Sequence, residues 1–328
     1  MTIKSSGNPL AFSEIENEFG ANGTRSLGSY RLTQSVGTLS NLPLDTGVPT
    51  SGTIKFSDFY GKQLNIVVDC HSGGREDRIT AKNDKWNNNN LTVIGGFRSK
   101  KEGGSKIYIN VNKKFCSDKF NVNNCALKTG NWDSTATVQV DLGSNARVFG
   151  AGGDGGSGSQ GVNNNGSPGG SGTSGLGIDS NNITVNVASG AIIRAGFGGG
   201  GGGGGGSQQD KNADRRASGG GGGGGAGFPA GSGGQPGNGC ANGSSGSSGN
   251  ETTAGDGGGG GNNGNQAYGA TGGEGGQFGE AANGGGSSQA GGGSGGGDGA
   301  AIRRVSGFSV TINNSGTIQG DQNATGVS

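Results

Sequence analysis

Ala191-Ile192-Ile193-Arg194-Ala195-Gly196-Phe197 runs directly into unbroken glycine from Gly198 to Gly206. This passage, from a β-branched strand into chain without side chains, decides the fold, because glycine cannot build an ordinary hydrophobic core. Further pure runs stand at Gly219 to Gly225 and Gly257 to Gly261, and glycine supplies 83 of the 328 residues. The usual share is about 7%. Either the region is disordered, or its backbone packs directly on backbone.

Glycine favours neither outcome by itself. Ordering a residue costs roughly 1–2 kcal/mol, and a hydrogen bond returns about 0.5–1.5 kcal/mol net. In the polyproline-II conformation every donor and acceptor points outward, so glycine chains can bond laterally on all sides, helped by Cα–H···O contacts. Such a bundle needs nearly pure glycine inside, with Ser, Asn, Ala or Asp on the outer helices, as in the tract 284–299. Richer inserts at 207–218 (SQQDKNADRRAS), 238–253, 262–268 and 280–283 then read as loops.

Strand repeats enclose the tract. Thr137-Val138-Gln139-Val140 continues to Ala146-Arg147-Val148-Phe149-Gly150, Ile183-Thr184-Val185-Asn186-Val187 to Ala191 through Gly196, and Ser309-Val310-Thr311-Ile312 to Gly316-Thr317-Ile318-Gln319-Gly320. Recurrence of one strand–turn–strand unit predicts stacked rungs that bracket the glycine region like end plates. Leu64 to Val68, Leu91 to Ile94 and Lys106 to Val111 add β-branched, partly alternating runs. Trp86 and Trp132 fit core or edge packing.

Residues 1–62 carry a duplicated motif. Ser6-Gly7-Asn8-Pro9-Leu10-Ala11-Phe12-Ser13-Glu14-Ile15 returns, shortened, as Ser51-Gly52-Thr53-Ile54-Lys55-Phe56-Ser57-Asp58-Phe59. Ser13 and Glu16 suggest a capping box starting a helix over Glu14 to Phe19, and Ser57-Asp58 a similar turn ending near Gly61. Hooks this short need a surface to pack on, either each other or another chain. Phe12, Ile15, Phe19, Phe56, Phe59 and Tyr60 are their candidate contact residues.

Composition narrows the function. Apolar residues are 27% of the chain, against about 45–50% in ordinary domains. With 24 basic and 23 acidic residues the net charge is +1, so nucleic acid is not an expected partner. No apolar run of about 18 residues predicts membrane insertion, and MTIKSSGNPLAFSE has no secretory apolar region. Cys70, Cys116, Cys125 and Cys240 match no zinc spacing; buried thiols and a Cys116–Cys125 bridge are both open.

An enzyme is not expected, and no cofactor or metal. His71 follows Cys70 at a strand end, where neighbours face opposite sides. Gly198-x-Gly200-x-x-Gly203 fits the dinucleotide pattern as any glycine tract does. Binding is better served. Asp210, Lys211, Asp214, Arg215 and Arg216 mix charge signs on one insert, and Arg pairs bidentately with carboxylate or phosphate; a solvated loop is the bland alternative. Phe228, Asn242, Asn250 and Tyr268 are further candidates, with Phe228-Pro229 and Tyr268 expected near loop tips. Phe197 and Phe278 fit the bundle edge.

The duplicated SGTIKFSDFYGK motif resembles modules of virion structural proteins from tailed bacteriophages. VQVDLGSNARVFGAGGDGG leading into polyglycine, with the closing SVTINNSGTIQGD, resembles the glycine-rich fibre-tip adhesins of such phages. The resemblance implies a mainly β fold with irregular regions: a virion-attachment module over 1–62, an all-β domain over 63–149, and a polyglycine-II sandwich over 150–328 bracketed by short strands. It implies a receptor-binding protein made in the host cytoplasm and carried in multiple copies on the virion. Its expected partners are tail or baseplate proteins, and a bacterial surface polysaccharide or outer membrane protein. A structural tail component without receptor contact is the alternative.

Overall fold

The computed structural model describes residues 3–20, 26–36, 39–70, 79–80, 91–93, 103–118, 122–160, 164–210, 213–262 and 267–327. His71 and Trp86 lie outside them. The four cysteines are free thiols, and burial raises the pKa of Cys70.

The duplicated motif folds as two equivalent helix starts. Helix α1 spans Phe12–Phe19, and Phe56–Phe59 forms a single 3-10 turn. The helix begins before Ser13, so the expected Ser13–Glu16 box is not its cap. Instead the Ala11 amide donates to Glu14 Oε2 (2.7 Å), and the Lys55 amide donates to Asp58 Oδ2 (2.7 Å). An acid three residues into a helix can satisfy that orphan amide without a capping hydroxyl. The two copies also pack on each other: Phe12 meets Phe56 edge-on at 6.0 Å, and Phe19 meets Phe59 at 5.7 Å. Ile15, Phe19 and Phe59 are fully buried with Tyr30, Leu44, Leu64 and Val67. They hold this module together and are not available as docking contacts, a correction to their expected role. A hairpin of β1 (Thr33–Val36) and β2 (Leu39–Pro43) completes it.

The body is a parallel β-solenoid of three sheets. The first sheet stacks β3 (Ile66–Cys70), β6 (Lys106–Val111), β9 (Thr137–Leu142), β12 (Ile183–Val187) and β17 (Val310–Asn314), with β5 (Leu91–Val93) antiparallel at its edge. The second holds β7 (Lys114–Cys116), β10 (Arg147–Phe149), β13 (Ile192–Arg194) and β18 (Thr317–Gln319). The third holds β4 (Ile79–Thr80), β8 (Cys125–Lys128), β11 (Ser174–Ile178), β16 (Ile302–Arg304) and β19 (Ala324–Thr325).

Register follows the sequence repeat. Ile66, Ile107, Val138, Ile183 and Val310 align across the first sheet, two residues before Val68, Ile109, Val140, Val185 and Ile312. Alternation sends these ladders inward, where they fill one core with Phe115, Val148, Leu127 and Leu176. Trp132 belongs to it, its Nε1 donating to the Thr129 carbonyl (2.8 Å). The repeat units are therefore adjacent rungs stacked on one another, not plates at opposite ends of the glycine region. Strands on both sides of residue 150 share all three sheets, so the solenoid runs through the expected 149/150 boundary.

The glycine region leaves from the side of this stack. The step from second to third sheet is short in two rungs, residues 117–124 and 320–323. In the two rungs between them it swells to 150–173 and 195–301. A buried hydroxyl cluster marks the exit: Ser117 and Thr173 share a hydrogen bond, and both accept from the Ala151 amide (3.1 and 2.7 Å).

Candidate functional site

The glycine region is an ordered lattice. Gly153, Gly156 and Ser159 donate to the carbonyls of Phe197, Gly200 and Gly203, while Gly152, Gly155 and Gly158 donate to Pro229, Ser232 and Gln235 (2.8–3.0 Å). Each third residue meets the same neighbour, the signature of polyproline-II geometry. The chain runs alternately away from and back to the solenoid over residues 150–159, 166–173, 196–205, 218–227, 229–239, 243–250, 253–262, 268–277, 282–287 and 290–299.

Two passes are interior. The pass 196–205 bonds to 150–159, 166–173, 218–227, 268–277, 282–287 and 290–299; the pass 218–227 bonds to 150–159, 196–205, 229–239, 243–250, 253–262 and 268–277. These hold the two longest pure-glycine runs, and the requirement is steric. A Cβ on Gly201 or Gly222 would fall on the carbonyl oxygen of Gly293 or Gly200. The third run, 257–261, lies on the outside, where Gly259 is exposed.

A pass of ten residues spans about 30 Å at 3.1 Å per residue, so the sandwich has a near end on the solenoid and a far end well clear of it. Turns alternate between the ends. The far end collects β14 (Gly206–Asp210) and β15 (Ala213–Ala217), an antiparallel hairpin, with the turns 238–242 and 287–290 and the bridged pair Asn262 and Tyr268. Side chains knit the hairpin base: Ser207 donates its amide to Gln289 Oε1 (2.6 Å), and Ser288 Oγ donates to the Tyr268 carbonyl (2.6 Å).

This alternation sorts the sequence candidates. Asp210, Asp214, Arg215 and Arg216 lie on the far hairpin, paired in register with Ala213, Gln209, Gln208 and Ser207; Lys211 lies outside the described residues. Asn242 and Tyr268 join them there. Asn242 Oδ1 accepts the Gly239 amide (3.0 Å), and Tyr268 is 52% exposed. Phe228 lies at a turn between passes, as expected, but that turn and the one holding Asn250 are at the near end. The Phe228 amide donates to the Gly150 carbonyl (2.9 Å), and the Asn250 carbonyl accepts the Gly227 amide (3.0 Å). Phe197 is buried with Ala195 and Ala226, whereas Phe278 is 55% exposed. Counting passes of about ten residues from the solenoid exit would have assigned every turn to its end.

Sequence reading missed the near-end clamp. Lys114 Nζ pairs with Glu251 Oε2 (2.9 Å), and Arg194 donates to the Glu251 carbonyl (2.9 Å) and to Gln319 Oε1 (2.5 Å). Burial lowers the pKa of Arg194, opposed by the Glu251 charge. It also missed Asp298, whose Oδ1 accepts the Gly198 amide (2.9 Å) and whose pKa burial raises. Among the described residues no cluster of His, Cys, Asp and Glu could hold a metal, and no helix is long and apolar enough to cross a membrane.

A family model described as phage tail fibre adhesin Gp38 matches residues 76–323. Among solved structures, the gp37-gp38 adhesin tip complex of the bacteriophage S16 long tail fibre is similar at 20% identity. That match covers 96% of this chain and 98% of that one, with a TM-score of 0.39. No curated protein matches the chain.

Proposed function

Because this chain belongs to the phage tail fibre adhesin Gp38 family, we propose that its host contact is made by the far end of the glycine sandwich. The protein is a receptor-binding adhesin of the phage tail. One observation carries the assignment to that end: the hairpin β14–β15, the turns 238–242 and 287–290, and the bridged pair Asn262 and Tyr268 come together there, about 30 Å from the solenoid. A lattice bonded on every side is a rigid mount, so its turns can vary without disturbing the core. Arg215 and Arg216 suit carboxylate or phosphate groups on a surface polysaccharide or an outer membrane protein.

In this reading the near-end residues Phe228 and Asn250 serve structure, and the N-terminal module mounts the protein on another tail protein after synthesis in the host cytoplasm. Phe56, 39% exposed, and its half-buried neighbours Phe12 and Tyr60 are the part of the duplicated motif left at the surface. The test is phage carrying a shortened hairpin, with 208–215 replaced by Asn-Gly. Adsorption to the host should fall at least tenfold with the virion still assembled. Unchanged adsorption would remove the hairpin from the site.

A further inference from the structure

We propose a second binding site on the flank of the sandwich, a groove that takes a neutral sugar chain. The proposal rests on the protein being a host-binding adhesin but not on the far-end turns. The groove encloses about 540 Å³ over the passes 253–262, 268–277 and 282–287, where Asp256, Thr271, Glu274 and Asn283 line a floor of glycine.

Polar groups elsewhere on the sandwich are used by the lattice. Asp154 accepts the Ser232 amide, Asp298 that of Gly198, and Ser244 and Ser247 those of Gly259 and Asp256. Around the groove they are not. Among the described residues, the side chains of Asp256, Thr271, Glu274 and Asn283 carry no hydrogen bond or ion pair, and neither do the amides of Thr271 and Glu274. Donors and acceptors therefore remain open together along one track.

Aromatic rings stand at both ends of that track. Tyr268, Thr271 and Glu274 follow at the three-residue spacing that puts them on one face of a polyproline-II helix. Tyr268 is 52% exposed at the far end, and Phe278, 55% exposed, follows the same pass at the near end. They are about 30 Å apart at 3.1 Å per residue.

Sugar chemistry fits this set. Vicinal hydroxyls can donate to the carboxylates and accept from the amides, a floor without Cβ atoms lets a ring approach the backbone, and an exposed aromatic face stacks on a sugar face. No Lys or Arg lines the groove, so phosphorylated or acidic sugars lack a counter-charge and would be repelled by Asp256 and Glu274. A peptide strand is poorly matched, because the outward amides recur every ~9 Å along the pass, not at strand spacing.

The test uses the full-length protein and a neutral oligosaccharide, released from the lipopolysaccharide of an adsorbing strain by mild acid and dephosphorylated. Calorimetry should give saturable binding, weakened at least tenfold in Asp256→Asn/Glu274→Gln and abolished in Thr271→Arg, with melting temperatures unchanged. The phosphorylated parent oligosaccharide should bind more weakly than the neutral one. No saturable binding by the unsubstituted protein, or full binding by Thr271→Arg, would overturn the groove. The shortened hairpin should keep sugar binding while losing host adsorption, so the far-end reading and the groove fail separately.

Discussion

The ammonium group of Lys114 lies 3.3 Å from the centroid of the Phe228 ring, joining the solenoid to a near-end turn of the glycine sandwich. Lys114 extends from β7, and Phe228 follows an interior glycine pass. Glu251, from a second near-end turn, bonds Lys114 and lies 3.7 Å from the Arg194 guanidinium. Phe149 lies beneath both cations, 5.2 Å from each. The direction in which the far end points is thus held by side chains as well as by the chain crossings.

Removing either partner should loosen this junction without unfolding the lattice. A cation over an aromatic ring contributes about 0.5–2 kcal/mol, and the half-exposed Lys114–Glu251 pair adds at most a few tenths after solvent screening. Lys114→Ala and Phe228→Ala should each cost about 1–2 kcal/mol by denaturant melts. The double variant should cost less than their sum. Strict additivity would mean that the pair does not interact.

Interior and exterior glycines should respond to alanine in opposite directions. At Gly222 a Cβ would strike the Gly200 carbonyl oxygen, and bonds to neighbours on every side leave the backbone little room to move. Gly222→Ala should cost roughly 3 kcal/mol, the upper end for overpacking. At Gly259 the nearest atom to a Cβ is Ser244 Oγ at 3.6 Å. Gly259→Ala should be neutral or stabilising by about 0.4–1 kcal/mol, because alanine restricts the unfolded chain. Equal melting temperatures for the two variants would contradict the lattice.

Much of this was legible in the sequence. The units at 137, 183 and 309 share a spacing because parallel rungs must stack in register, and the two longest pure-glycine runs mark positions with neighbours on all sides. Less visible was that β3 and β6 are rungs of the same solenoid, since their turns differ in length and no glycine tract follows them. The end at which Phe228 and Asn250 stand was hidden for another reason. A polar insert looks the same at either end of the sandwich, and only the alternating direction of the passes separates the ends. Ile15, Phe19 and Phe59 looked like hooks because neither motif copy buries its own apolar face. Each copy does so against the other.

Acid should weaken the N-terminal module through Glu14. The Ala11 amide and then Lys4 hold its carboxyl below the ordinary value of 4.5, so folding favours the ionised form. A depressed folded-state pKa gives stability that is present above the unfolded value and is lost as pH falls through the folded one. Melting temperature should therefore decline as pH drops below about 4.5, and Glu14→Gln should flatten that decline while lowering stability at neutral pH. An unaltered acid limb in the variant would rule Glu14 out as its source.

Substitutions along the Asn/Asp ladder of the first sheet should be graded by burial. Asp69, Asn110, Asp141, Asn186 and Asn313 align from strand to strand. Asp141, only 6% exposed, accepts from Asn186 Nδ2 (2.7 Å) and from Gln139 Nε2 (3.0 and 2.9 Å). Asp141→Ala removes the buried acceptor of two half-buried donors, at about 1–3 kcal/mol. Asn313, on the exposed last rung, only donates to Asn186 Oδ1 (2.8 Å). Asn313→Ala should cost about 0.5 kcal/mol, since water can replace the lost donor. Thermal melts of the two variants decide the matter: a loss at Asn313 equal to that at Asp141 would mean that burial does not set the worth of each step.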